Sequence, residues 1–179
     1  EMKKNNIHFL TKSALFAAIM CILSPVTVAI GPVPVTMALF AVMLTSLILD
    51  IRASATAVLV YIFIGVCGLP VFAGGKGGFP VLAGPTGGYL WSYVITAVII
   101  SAFAERSKKF PVRFLGCCLG VAVCYFFGTV QYVAVSGGVK FAAALRACVY
   151  PFIPFDILKS LCACLISAEV NKRLEKSGK

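Results

Sequence analysis

Ser13 to Leu49 reads SALFAAIMCILSPVTVAIGPVPVTMALFAVMLTSLIL, thirty-seven residues without a charge. A helix crossing a bilayer needs about 20 predominantly apolar residues. The run is therefore too long for one span, and it lacks the polar face of a soluble domain. Its break is Gly31-Pro32-Val33-Pro34, two prolines that remove backbone donors and restrict the residues before them. The pattern predicts a first helix over about 8–29 and a second over about 35–50.

The rest of the chain repeats this design. Asp50-Ile51-Arg52 is a tight polar turn, and a third helix is predicted from there to about Gly68. Leu69 to Thr86, LPVFAGGKGGFPVLAGPT, is too apolar for a solvated linker and too rich in glycine for a stable helix. Non-helical backbone at membrane depth survives only when buried in protein or lining a cavity, so this loop is expected to fold over or into the bundle. Further helices are predicted over Gly87 to Ala104, Pro111 to Val135 and Cys148 to Val170, the last distorted by Pro151 and Pro154. Lys140 to Arg146 reads as a short interfacial helix.

Composition agrees. The 179 residues are 60% hydrophobic and 12% charged, with mean hydropathy +1.00, against about 25% charged in soluble domains. The expectation is an all-α polytopic membrane protein, 1–179 as a single domain with six transmembrane helices. Residues 3–29 begin with basic residues ahead of an apolar run, but no small-x-small cleavage site precedes a polar domain, so the first span reads as retained. Met2 reads as the natural start.

A net charge of +10 suggests nucleic acid in a soluble protein. Here twelve of the basic residues, from Lys3, Lys4 and Lys12 through Arg106 and Arg113 to Lys179, fall on one side of the predicted spans. Lys76, Lys140 and Arg146 fall on the other. Cytoplasmic segments carry the excess of Lys and Arg, which places both termini in the cytoplasm and argues against nucleic acid. The glycine loop, the proline turn and the start of the last helix then share the outer face.

Asp156-Ile157-Leu158-Lys159 is the acid-base pair set deep in an apolar segment. Each charge costs at least ~2.5 kcal/mol against lipid, so both are expected to face a protein interior or a cavity. The i, i+3 spacing puts them on one helix face. One reading is a pair that locks the helix into the bundle. The other is a polar recognition centre, with a carboxylate to accept N–H bonds and an ammonium to donate.

Gly84-Pro85-Thr86-Gly87-Gly88-Tyr89 opens the fourth helix, either as a plain turn with Thr86 as N-cap or as a glycine-lined approach to backbone N–H groups. Gln131 is a lone amide, suited to pocket polarity or to a helix-helix hydrogen bond. Phe72, Phe79, Tyr89, Trp91, Tyr93, Tyr125, Tyr132, Phe152 and Phe155 collect toward the outer half, as interface anchors, packing or pocket walls. Ala14 and Ala18, one turn apart, suit close packing in the bundle or a docking face for another subunit.

The eight cysteines lie mostly in apolar runs, without CxxC or Cys/His clusters, and read as small buried hydrophobes rather than metal or redox ligands. Gly74-Gly75-Lys76-Gly77-Gly78 is no phosphate loop, since Gly77 stands where Walker A needs Ser or Thr. With one histidine and one deep carboxylate, an intramembrane enzyme has few acid-base options. No catalytic residue, metal or cofactor is expected.

Four motifs together resemble the BioY family, the biotin-specific S component of energy-coupling factor (ECF) transporters. They are Gly31-Pro32-Val33-Pro34-Val35-Thr36, Gly68-Leu69-Pro70-Val71-Phe72-Ala73-Gly74-Gly75, Gly84 to Tyr89, and Pro151-Phe152-Ile153-Pro154-Phe155-Asp156-Ile157-Leu158-Lys159. The chain departs from the family in reading Thr36-Met37-Ala38-Leu39 where a glutamine commonly follows the turn.

The resemblance implies a six-helix protein of the bacterial cytoplasmic membrane that captures biotin in an outward-facing cavity capped by the glycine- and proline-rich loops. It implies ureido contacts from Asp156 and Lys159, and a binding set completed by Gly84, Thr86, Gly88, Tyr89, Phe79 and Gln131. It also makes Ala14 and Ala18 the contact with a transmembrane coupling subunit, which two cytoplasmic ATPases would serve. The competing reading is a self-sufficient carrier coupled to ions, which the short chain and lack of inverted repeats disfavour.

Overall fold

The computed structural model describes residues 2–28 and 34–177. Among the described residues, eight helices and one small antiparallel strand pair follow in the order α1 (Met2–Leu23), β1 (Thr27–Val28), β2 (Val35–Thr36), α2 (Ala38–Ile48), α3 (Ile51–Val66), α4 (Phe79–Ala83), α5 (Gly87–Arg106), α6 (Phe110–Val135), α7 (Phe141–Cys148) and α8 (Ile153–Ser177).

The first helix stops short of the expected residue 29. Pro25 brings no N–H and disfavours helical backbone at Ser24, and the chain turns into β1. This strand pairs antiparallel with β2 in the register Thr27↔Thr36 and Val28↔Val35. The expected proline break falls largely on 29–33, outside the described residues. The second helix accordingly begins at Ala38 rather than 35.

The last helix starts at Ile153 rather than Cys148, because Cys148 closes α7 and Pro151 lies in the turn between them. Pro154 then occupies the first turn of α8, where a missing N–H breaks no helical bond. The helix continues past the expected Val170 to Ser177.

α2 is apolar nearly all round and sits inside, packed on α1, α3, α5 and α8. Its hydroxyls are satisfied within the helix: Thr45 Oγ1 donates to Ala41 O at 2.7 Å and Ser46 Oγ to Val42 O at 2.7 Å. The α5–α6 hairpin is the most extensive helix pairing. Small residues permit it, for Gly116, Gly120, Cys124 and Gly128 recur every four residues along α6. The Phe103 side chain lies on Gly116, Ile100 and Thr96 on Gly120, and the Tyr89 ring on Gly128. Close backbone approach of this kind is the usual device where lipid offers no hydrophobic drive between helices. Buried hydroxyls add to it. Thr96 Oγ1 donates to Gly120 O at 3.1 Å, Ser101 Oγ donates to Ser46 O at 3.0 Å, and the Ser54 and Ser101 hydroxyls lie 2.7 Å apart.

α5 and α6 are long and apolar enough to cross a membrane; Ile7–Leu23, α2 and α3 are shorter apolar helices. Three contacts gather one end of the bundle. Ser13 Oγ donates to Ala53 O (3.2 Å), Ile51 N to Glu105 Oε1 (2.8 Å), and Asn171 Nδ2 to Leu47 O (3.1 Å). The strand pair, the 67–86 loop and the start of α8 meet at the opposite end.

Candidate functional site

Asp156 lies in the first turn of α8, where the positive end of the helix dipole favours a carboxylate. Lys159 follows one turn later on the same face. Their side chains are 6% and 12% exposed, and Lys159 Nζ stands 2.9 Å from Asp156 Oδ1. Two further groups complete the centre. Tyr125 Oη, from α6, donates to Asp156 Oδ2 at 2.6 Å. Lys159 Nζ donates to the backbone carbonyl of Thr36, in β2, at 2.9 Å. The pair thus joins three parts of the chain, and its burial is compensated by hydrogen bonds as well as by charge. An ammonium has three N–H groups, of which two are engaged, and the carboxylate keeps unused lone pairs. Both retain capacity for a ligand.

These groups form one wall of a pocket holding about 680 Å³ of space, its open mouth included. Its lining is mostly apolar with few polar groups, as in small-molecule sites. The floor comes from α2 and α3 through Leu39 and Tyr61, and the sides from Tyr93, Cys124 and Phe152. The loop after α3 supplies Phe72, fully buried, its ring set edge-on to Tyr61 with centroids 5.7 Å apart. Gly65 makes room for that ring. The loop closes on itself through Phe72 N to Lys76 O at 2.9 Å. Its turn places Gly74 and Gly75 at φ 69° and 71°, which favours glycine.

Of the residues singled out in the sequence, Asp156, Lys159, Thr86 and Tyr89 line this pocket. Thr86 precedes α5, but its hydroxyl makes no capping bond. Gly84, Gly88, Phe79 and Gln131 do not line it. Phe79 is 64% exposed. Gly88 is pressed against the Phe127 carbonyl and Gly128, where a side chain has no room. Gln131 is a tether rather than a pocket group, its Nε2 donating to Leu82 O and Gly84 O at 2.8 and 2.9 Å. Tyr89 Oη and Thr129 Oγ1 are enclosed beside this wall and make no hydrogen bond of good geometry.

Sequence reasoning left Tyr125 among nine aromatics and assigned no role to the Thr36 carbonyl. No local pattern marks either, since both act through contacts with residues 31 and 123 positions away. The departure from the usual glutamine after the proline turn falls on this wall, where Thr36, Ala38 and Leu39 line the pocket.

A helical bundle with apolar, membrane-length helices and a charged centre at the wall of one end pocket defines a class: membrane proteins that hold a small polar-headed molecule. The chain belongs to the BioY family, whose profile matches residues 2–176. A Thermotoga maritima protein named "Biotin transporter BioY" is 32% identical over 163 residues, 91% of this chain and 95% of that one. A Pyrococcus horikoshii protein, "Probable biotin transporter BioY", is 37% identical over 158 residues, 88% of this chain and 93% of its own. The fold matches that of the S component for biotin from an ECF-type ABC transporter, with TM-score 0.85, 24% identity and coverage of 94% and 93% of the two chains. The relatives are transporters by name, in keeping with a chain read as having no catalytic apparatus.

Proposed function

We propose that this chain is the biotin-capturing S component of an ECF-type transporter. Six helices (α1, α2, α3, α5, α6 and α8) cross the cytoplasmic membrane of a bacterium, with both termini inside and the pocket open to the exterior. The observation that carries the reading is the Asp156–Lys159–Tyr125 centre at the wall of an apolar pocket, in a chain of this family.

The chemistry fits biotin. Its ureido ring offers two N–H donors and a carbonyl, matched by the Asp156 carboxylate and the Lys159 ammonium. The thiophane ring suits the apolar side of the pocket around Leu39, Tyr93 and Phe152. Nothing in this assignment needs a reaction at the site. The charge distribution supports the orientation, because the end gathered by Ser13, Ile51, Glu105 and Asn171 carries the excess of Lys and Arg. Delivery inward draws on a transmembrane coupling subunit, met through Ala14 and Ala18, and on two cytoplasmic ATPases. Both alanines are exposed on α1, as a docking face requires.

Calorimetry of the purified chain against biotin, dethiobiotin and thiamine tests the ligand. Biotin is expected to bind tightly, dethiobiotin more weakly because it keeps the ureido ring and lacks the fused thiophane, and thiamine not at all. Thiamine binding equal to biotin, or no heat with biotin, overturns the assignment. ATP-independent uptake by the chain alone would favour the self-sufficient carrier.

A further inference from the structure

The rim of the ligand pocket carries charge of one sign. The connecting segments at that end of the chain, 24–37, 67–86 and 136–155, contain Lys76, Lys140 and Arg146 and no Asp or Glu. All three cations are exposed. The next charged groups inward are Asp156 and Lys159, whose opposite charges pair at 2.9 Å. The net charge around the mouth therefore comes from the rim.

These cations are tied closely to residues that line the pocket. Lys76 follows Ala73 by three positions, and its carbonyl accepts from Phe72 N at 2.9 Å; Phe72 and Ala73 are both lining residues. Arg146 precedes another, Cys148, by two positions in α7. Lys140 opens that helix and shares a hollow with Arg146, Ala142 and Ala143. Two residues of chain reach at most about 7 Å and three about 11 Å, against a screening length of about 10 Å at about 0.1 M salt. The charges thus stand within electrostatic range of the pocket lining. Membrane orientation gives no reason for them, since the excess of Lys and Arg belongs to the cytoplasmic side.

We infer that Lys76, Lys140 and Arg146 form an electrostatic funnel that speeds the capture of ligands bearing a free carboxylate. Biotin's tail ends in an alkyl carboxylic acid, ionised at neutral pH, while its ureido head is uncharged. Charge of one sign around a cleft with low-dielectric walls focuses the field and raises the encounter rate with an oppositely charged molecule. Rim charges of this kind act on the association rate and its salt dependence, and leave release to the contacts inside. The inference rests on biotin being the ligand, as proposed above, and concerns how it arrives rather than how it is held.

Association and release rates of radiolabelled biotin and of its uncharged primary amide, measured on the purified chain in neutral detergent, test it. Between low and high salt the parent's association rate with biotin is expected to fall about ten-fold, the lower end for a cleft of one charge sign, while the rate with the amide holds. The triple variant Lys76→Gln, Lys140→Gln, Arg146→Gln should bind biotin at the amide's rate even at low salt, with release unchanged. Should it fail to fold, Arg146→Gln alone should slow association roughly two-fold, an equal share of that factor. A control triple, Lys12→Gln, Arg52→Gln, Lys172→Gln, removes the same charge from exposed positions at the opposite end and should behave as the parent.

An association rate that ignores salt in the parent overturns the funnel, and so does the same salt dependence for biotin and its amide. A rim variant that captures biotin as fast as the parent sinks it as well. If the control triple slows capture as much as the rim triple, total charge is responsible and the rim has no special part. In each of these cases biotin still binds and the transport assignment stands. Failure of both ligands to bind removes that assignment, and the funnel with it.

Discussion

Asp156 shows how one buried carboxylate is made tolerable and useful together. Its two oxygens are held by different elements, Oδ1 by Lys159 and Oδ2 by Tyr125, and the helix dipole supplies further support. Removing any member leaves the others under-compensated in a low-dielectric wall. Asp156→Asn and Lys159→Ala are therefore expected to weaken biotin binding by ~10- to 100-fold, since hydrogen bonds to charged groups contribute about 1.5–3 kcal/mol. Tyr125→Phe removes a single hydrogen bond to the carboxylate and is expected to cost less, roughly 10-fold. Titration calorimetry of detergent-purified variants with unchanged thermal midpoints checks all three. Parent-like affinity in Asp156→Asn would remove the carboxylate from the site.

At the scale of elements, the α5–α6 hairpin couples packing to the pocket. Gly128 has no side chain because the Tyr89 ring occupies that space, and Tyr89 lines the pocket. Gly128→Val is expected to destabilise the bundle by ~1–3 kcal/mol through overpacking and to weaken biotin binding by displacing Tyr89. Gly120→Val, which meets Ile100 and Thr96 away from the pocket, should cost similar stability with a smaller loss of affinity. Thermal unfolding in detergent beside calorimetry separates the two effects; equal losses of affinity would refute the coupling through Tyr89. Gln131 does different work, tying α6 to the carbonyls of Leu82 and Gly84. Gln131→Leu leaves both carbonyls without this donor, and faster biotin release with raised hydrogen exchange at 79–86 is expected. An unchanged release rate would show that the loop holds without its tether.

At the scale of the molecule, the bundle separates two surfaces. At the pocket end Phe72 of the loop after α3 packs on Tyr61, while Ala14 and Ala18 on α1 remain exposed. Bulky replacements there, such as Ala14→Trp and Ala18→Trp, are expected to abolish uptake or assembly with the coupling subunit and to leave equilibrium biotin binding unchanged. Uptake in cells and pull-down with the coupling module, measured beside calorimetry, check this. Joint loss of binding and uptake would mean misfolding, not a docking face.

Charge spacing along the chain determined the membrane class, the succession of apolar helices and the singular status of Asp156 and Lys159, because a bilayer penalises charge wherever it falls. Pro25 was equally present in the sequence, yet the turn into β1 became evident only with β2 beside it. The tertiary structure alone decided which aromatic reaches the carboxylate, that the Thr36 carbonyl holds the ammonium, and that Gln131 faces the loop instead of the pocket. Those contacts join residues far apart in the chain, and their geometry depends on how the helices rotate and pack. That packing follows from glycine-sized gaps whose partners no local pattern names.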